Sequence, residues 1–383
     1  MRDYFTGIKN PVAWCTSVGP AELLRSFGFE VYFPENHGAL MGATRTAGDY
    51  IPAAVKAGYS GDICSYLTSD IGAYLCKQTP LKKQYGLNEI PRADLIVYNT
   101  NQCREVQDWF IYFSKEFKCP VVGIHPPRHL DEITEEEIKD VASQFRSIVP
   151  VCERVSGKKF DIDRFRETLR ESKEATELWK KVLATAKQTP SPLSFFDGTI
   201  HMGPIVVLRG TPVATNYYKL LLQELEENIK LGKGFLEKET ARIYWDGMPV
   251  WGKLRSMSDL FAKNNAAVVA STYCNSWVFD AFDERDPFAS SAKAYTEIFI
   301  NRSEKAKMEI LEKLLSDFHI DGIVYHDAKT CFNNSNSRFG MPERLREKTG
   351  IPSLIIEGDL CDLRFFSEGQ TQTKVETFLE QLS

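Results

Sequence analysis

The sequence predicts an α/β protein with two doubly wound, Rossmann/flavodoxin-like domains, each built on a parallel sheet and joined by a helical segment. Three observations lead there. A chain of 383 residues is too long for one ordinary hydrophobic core and suits two. Short apolar runs alternate with helical stretches at both ends of the chain, the pattern of parallel strands buried on both faces. Between these two regions lies a long run of helix-forming residues. The expected boundaries are 1–133 for the N-terminal α/β domain, 134–235 for the helical segment and 236–383 for the C-terminal α/β domain.

The elements follow in order. In the first domain the expected strands are Pro11–Cys15, Phe29–Phe33, Asp94–Tyr98 and Pro120–Ile124, and a helix opens at Pro20. From Thr134 to Gln188 the chain reads as helix, its acidic start at Glu135, Glu136 and Glu137 favoured by the peptide dipoles of a helix N-terminus. Pro190, Pro192, Gly198 and Gly203 break that pattern, and a further helix from about Val213 to Leu231 stops at Gly232 and Gly234. The alternation then returns, with strands Ala241–Trp245, Ala266–Ala270, Gly322–Tyr325 and Ser353–Ile356. The helices between and after them are expected at Leu254–Lys263, Glu304–Phe318, Pro342–Thr349 and Thr371–Leu382.

Composition narrows the function classes. With 43% hydrophobic and 26% charged residues, the chain has enough apolar material to fill both cores. The formal charge of −5 is mild and Lys and Arg are spread out, so neither nucleic acid nor an anionic membrane is expected as a partner. The start MRDYFTGIKNPVAW lacks the apolar stretch of a signal peptide, and no apolar run is long enough for a membrane span. A cytoplasmic location is expected. There thiols stay reduced, so the nine cysteines read as ligands, reactive thiols or small core residues and not as a disulfide framework.

In open parallel sheets, ligands gather beyond the carboxyl ends of the strands. Cys15, Cys103, Cys274, Cys331 and Cys361 all fall near such ends. Cys64 and Cys103 are expected to open helices that run on through Tyr74 and Trp109, where the helix dipole favours the thiolate that binds metal. Cys119, ahead of a strand, and Cys152, inside a helical stretch, read as packing residues. No Cys-x-x-Cys pair exists, which leaves neither a zinc ribbon nor a ferredoxin-type motif. Scattered thiols meeting at a cleft fit an iron–sulfur cluster with one iron left open; ordinary core and loop thiols remain the other reading. A non-catalytic two-domain small-molecule-binding protein, or a zinc protein using the same thiols, are the rivals from other classes.

Several segments together resemble the family of 2-hydroxyacyl-CoA dehydratases and class I benzoyl-CoA reductases. They are Pro20–Leu24 with Gly28-Phe29, Tyr32–Ala39, Gly58–Tyr66, Asn99–Trp109, and Asp359–Arg364 with Phe366–Gln370, in the family's order over nearly the whole chain. The resemblance implies that Cys64, Cys103 and Cys331 ligate a [4Fe–4S] cluster. A branch of the family with a double-cubane cluster carries a Lys-Cys-Pro stretch shortly before the second ligand; it is absent here, and Cys76 is the only nearby thiol. The resemblance also implies a homologous second subunit and a separate iron–sulfur ATPase that spends ATP to deliver one electron at low potential. The reaction implied is one-electron, ketyl radical chemistry on a CoA thioester, either aryl-CoA ring reduction or 2-hydroxyacyl-CoA dehydration. Ser17, Glu35 and His37, in what read as strand-end loops, are the candidate proton-transfer groups, a carboxylate and an imidazole so close in sequence being able to act as acid and base if buried. A solvated turn with a helix cap is the plainer reading of that segment. Trp245, Trp251, Tyr273 and Trp277 are candidates for an acyl pocket, with core packing as the default.

Overall fold

The computed structural model describes residues 10–382; residues 1–9, where the reading of the N-terminus as leaderless begins, lie outside the described residues. Strands β1 (Val12–Cys15), β2 (Glu30–Tyr32), β3 (Leu95–Asn99) and β4 (Val121–Ile124) form one sheet in the order β2-β1-β3-β4. Strands β5 (Ala241–Asp246), β6 (Ala266–Ser271), β7 (Gly322–Ala328) and β8 (Ser353–Gly358) form a second in the order β6-β5-β7-β8. Every pairing in both is parallel. The order is that of the flavodoxin-like doubly wound sheet, whose topological switch lies between its first and third strands. The expected strands are present, most with ends shifted by a few residues at most. β1, β3, β5 and β6 are buried along their whole length, as near-continuous apolar runs require.

Helices that carry the argument are α1 (Ala21–Ser26), α2 (Pro34–Ala43), α3 (Ala47–Lys56), α4 (Ser65–Leu75) and α5 (Glu105–Phe117) around the first sheet. The stretch expected as one helical run is two helices, α6 (Glu135–Ser156) and α7 (Ile162–Ala184). Gly157, at φ +69°, ends the first, and the Asp161 carboxylate caps the second by accepting from the Asp163 and Arg164 amides. The long helix α8 (Pro212–Lys230) packs on α7, joined to it through two short helices, Phe195–His201 and Gly203–Val207, in the segment read as broken. Around the second sheet stand α9 (Leu254–Lys263), α10 (Glu304–Asp317), α11 (Met341–Thr349) and α12 (Glu368–Glu380).

One hydrophobic core runs from the first sheet through the helical segment into the second, joining Val97 and Leu24 to Trp179, Tyr218, Ile243 and Val324. A second core covers the other face of the first sheet, with Trp14, Trp109 and Phe113, and takes in Met248, Ala328 and Leu360 from the second. Arg209, fully buried, ties the three regions together. It pairs with Glu22 of α1 at 3.2 Å, donates through Nε to the Tyr295 hydroxyl at 3.0 Å and through Nη2 to the Gly19 carbonyl at 2.9 Å.

Candidate functional site

The two switch points face one cavity. Its volume is about 110 Å³, and its wall is built from residues that follow β1 (Ser17), β2 (Glu35), β3 (Gln102, Cys103), β5 (Met248), β6 (Tyr273), β7 (Cys331, Asn333) and β8 (Leu360). This is where the carboxyl-end rule for open sheets puts a ligand, met here by two sheets at once.

Cys64, Cys103 and Cys331 all line that cavity and are half-buried. Cys64 is the N-cap of α4; Cys103 stands two residues before α5 rather than beginning it; Cys331 closes the loop after β7. Burial pushes all three thiols up, Cys331 to about 12, and in Cys64 the nearness of the other two adds to the rise. Backbone amides oppose it: those of Leu67 and Tyr66 at Cys64, Val106 at Cys103 and Asn334 at Cys331. Sulfurs that are mutually repulsive as thiolates yet each served by a peptide N–H are suited to a cationic centre, whose binding releases the protons.

Two clasps hold the three loops in register. The Ser65 amide donates to Thr330 Oγ1 at 3.0 Å, and Thr330 in turn donates to the fully buried Asp359 at 2.6 Å, linking the Cys64 and Cys331 loops. Arg128 donates through Nη2 to the Gln102 carbonyl at 3.3 Å and to Asn333 Oδ1 at 3.0 Å, linking the Cys103 and Cys331 loops. Among the described residues no group of three or more His, Cys, Asp or Glu side chains is arranged to hold a single metal ion. An iron–sulfur cluster is held by cysteine thiolates around a core of several irons. The three thiols that line this cavity are donors of that kind.

Glu35 and Ser17 also line the cavity. Glu35 Oε1 accepts from the Ser17 amide at 2.9 Å and from Gln102 Nε2 at 2.8 Å. Burial pushes its carboxyl up to about 7 against those donors, so it exchanges a proton near neutrality. The Ser17 hydroxyl leans toward the same carboxylate, but neither it nor Glu35 Oε2 completes a hydrogen bond of full geometry among the described residues.

His37 departs from expectation. The segment read as a loop is the first turn of α2, with Pro34 at its N-terminus. Residues two apart on a helix point roughly 200° away from each other, so His37 turns its back on the cavity. Its Nδ1 meets Asp70 Oδ1 at 2.5 Å and its Nε2 meets Thr79 Oγ1 at 2.8 Å, while Asp70 Oδ2 accepts from the Trp109 indole at 2.8 Å. It braces α2 against α4 and α5 and does not pair with Glu35. Of the aromatics, Tyr273 and Trp277 line the cavity. Trp245 is instead core, stacked on Phe195 at 5.2 Å, and Trp251 donates to the Tyr66 hydroxyl beside it.

The remaining thiols sit elsewhere. Cys15 is the last residue of β1 and points into the core, Cys274 packs among Gly198 and Thr199, and Cys361 lies near Ser69. Cys152 is fully buried in α6, and Cys76 is exposed. Sequence reasoning missed Gln102, Thr330, Asp359 and Arg128. Gln102 and Thr330 had a local signal, each standing next to a candidate cysteine, and Asp359 opens one of the segments that carry the resemblance; Arg128 joins the site only through contacts far apart in the chain. Among the described residues no helix is long and apolar enough to cross a membrane.

Residues 16–382 match the family described as 2-hydroxyglutaryl-CoA dehydratase, D-component. The chain is 32% identical over 383 residues to the alpha subunit of lactoyl-CoA dehydratase from Anaerotignum propionicum, covering 97% of this chain and 90% of that one. It is 32% identical over 376 residues to a benzoyl-CoA reductase subunit from Thauera aromatica, covering 94% and 86%. To the (R)-2-hydroxyisocaproyl-CoA dehydratase alpha subunit of Clostridioides difficile it is 31% identical over 375 residues, covering 97% and 90%.

Proposed function

This chain belongs to the 2-hydroxyglutaryl-CoA dehydratase D-component family, which takes in dehydratase and benzoyl-CoA reductase subunits, and on that premise we propose that it is the [4Fe–4S]-bearing subunit of an anaerobic enzyme acting on a CoA thioester. The observation that carries the reading is that Cys64, Cys103 and Cys331, drawn from two lobes, line one cavity together with a carboxyl group able to exchange a proton near neutrality. These three residues would hold the cluster, leaving one iron without a protein thiolate. When bound, the cluster supplies one electron at low potential to the thioester carbonyl, the start of ketyl radical chemistry that ends in aryl-CoA ring reduction or 2-hydroxyacyl-CoA dehydration.

The chain's own residues do the rest. Glu35 Oε2, the carboxylate oxygen left free by Ser17 and Gln102, takes or returns the substrate's proton. The Ser17 hydroxyl, beside it, orients the thioester oxygen. Val18, Trp109 and Leu360 exclude water from the reacting carbons. The relatives are named as single subunits, which supports a second, homologous subunit paired with this chain. An iron–sulfur ATPase that couples ATP hydrolysis to electron delivery, and a cytoplasmic setting, complete the proposal.

Reconstitution with iron and sulfide under anaerobic conditions tests it. Cys103→Ser or Cys331→Ser should abolish the broad visible absorbance of the cluster while helical content is kept, and Cys119→Ser should leave it intact. Loss of the chromophore in the Cys119 variant alone would show that other thiols are the ligands.

A further inference from the structure

The cavity wall is lopsided in its chemistry. Val18, Val106, Met248, Tyr273, Trp277 and Ile300 present apolar or aromatic surface from several separate stretches of chain. The charged groups on the wall, among the described residues, are two carboxylates, Glu35 and Glu105. Trp109 also lines it, but its indole N–H is taken by Asp70 at 2.8 Å. Arg128 is not among the lining residues; its Nη2 is engaged by Gln102 and Asn333, its buried Nε has no hydrogen-bond partner among the described residues, and its charge interacts with that of Glu105. The free carboxylate of a dicarboxylic acyl group would lose its water against apolar surface, with no Lys or Arg among the described lining residues to pair with it. An alkyl or aryl group would bury area against the same wall at a gain.

Resting on the reading of this cavity as the thioester site, we infer that the acyl group this chain accepts is uncharged and apolar, and that dicarboxylic acyl groups are rejected. The specificity comes from the wall itself: apolar contact attracts the one class, and the cost of stripping water from a carboxylate against that surface rejects the other.

The test uses two non-reacting thioesters, hexanoyl-CoA and glutaryl-CoA, titrated against the full chain purified anaerobically in whatever complex it forms, with quenching of tryptophan fluorescence as the readout. Hexanoyl-CoA should bind roughly tenfold or more tighter. Ile300→Arg, which puts a cation on the wall, should narrow that gap by about tenfold. Equal affinities, or tighter binding of glutaryl-CoA, overturn the inference alone and would point to Arg128 as the carboxylate's partner. An unchanged gap in the Ile300 variant overturns it too. If neither thioester binds, the reading of the cavity as a thioester site falls, and the inference with it.

Discussion

Glu35 is the residue whose chemistry depends most on where the fold puts it. Its carboxyl is raised from 4.5 to about 7 because burial penalises the charged form. A raised acid contributes its stability in full below the unfolded value, and that contribution is lost as pH climbs through the folded value. For the protein without a bound cofactor, stability should therefore fall between about pH 5 and pH 8, by up to roughly 3 kcal/mol from this group. Glu35→Gln should flatten that slope, as seen in urea midpoints at the two ends of the range; an unchanged slope would mean that Glu35 is not held near neutrality. At this scale the sequence is partly legible. The rule that parallel sheets bind ligands at strand ends picks out Cys103 and Cys331, and it equally admits Cys15, Cys274 and Cys361. What separates them is side-chain direction: Cys15 points from β1 into a core, and nothing in its neighbours' identities says so. His37 misleads because Pro34 reads as part of a loop, when proline after Phe33 is also what a helix places in its first turn.

At the scale of elements, α4 matters because Cys64 is its N-cap, so its seat fixes one of the three thiols. That seat depends on a close approach to α3. A Cβ on Gly72 would lie 2.0 Å from the Tyr50 carbonyl oxygen, so only glycine lets the two helices meet here. Gly72→Ala should push α4 outward and cost about 1–3 kcal/mol or more in chemical denaturation. An alanine variant as stable as the parent would show that α3 yields, and that the Cys64 position is not set by this contact. The close pairing of these helices is not legible in the sequence, since neither carries a long apolar period. The break at Gly157 is hidden in a similar way, because helix formers surround it on both sides and the run looks continuous.

Across the whole molecule, the two sheets are legible from their apolar runs, which need no partner to be recognised. What holds the sheets in one relation is not. The buried set of Glu22, Arg209 and Tyr295 draws one residue each from the first lobe, the helical segment and the second lobe, and charges that far apart in sequence carry no shared pattern. Tyr295 also accepts at its carbonyl from Asn101, whose amide reaches Val18 as well, at 2.6 Å and 3.0 Å. The core that fixes the lobes thus reaches the wall of the cavity, and the thiols meet only because the lobes are fixed. The most direct test of that meeting is the iron and acid-labile sulfide content of the protein purified from cells without exposure to oxygen. About four of each per chain are expected, lost together in Cys64→Ser. Zinc in their place, or a colourless metal-free protein that stays folded, would contradict a cluster at this site.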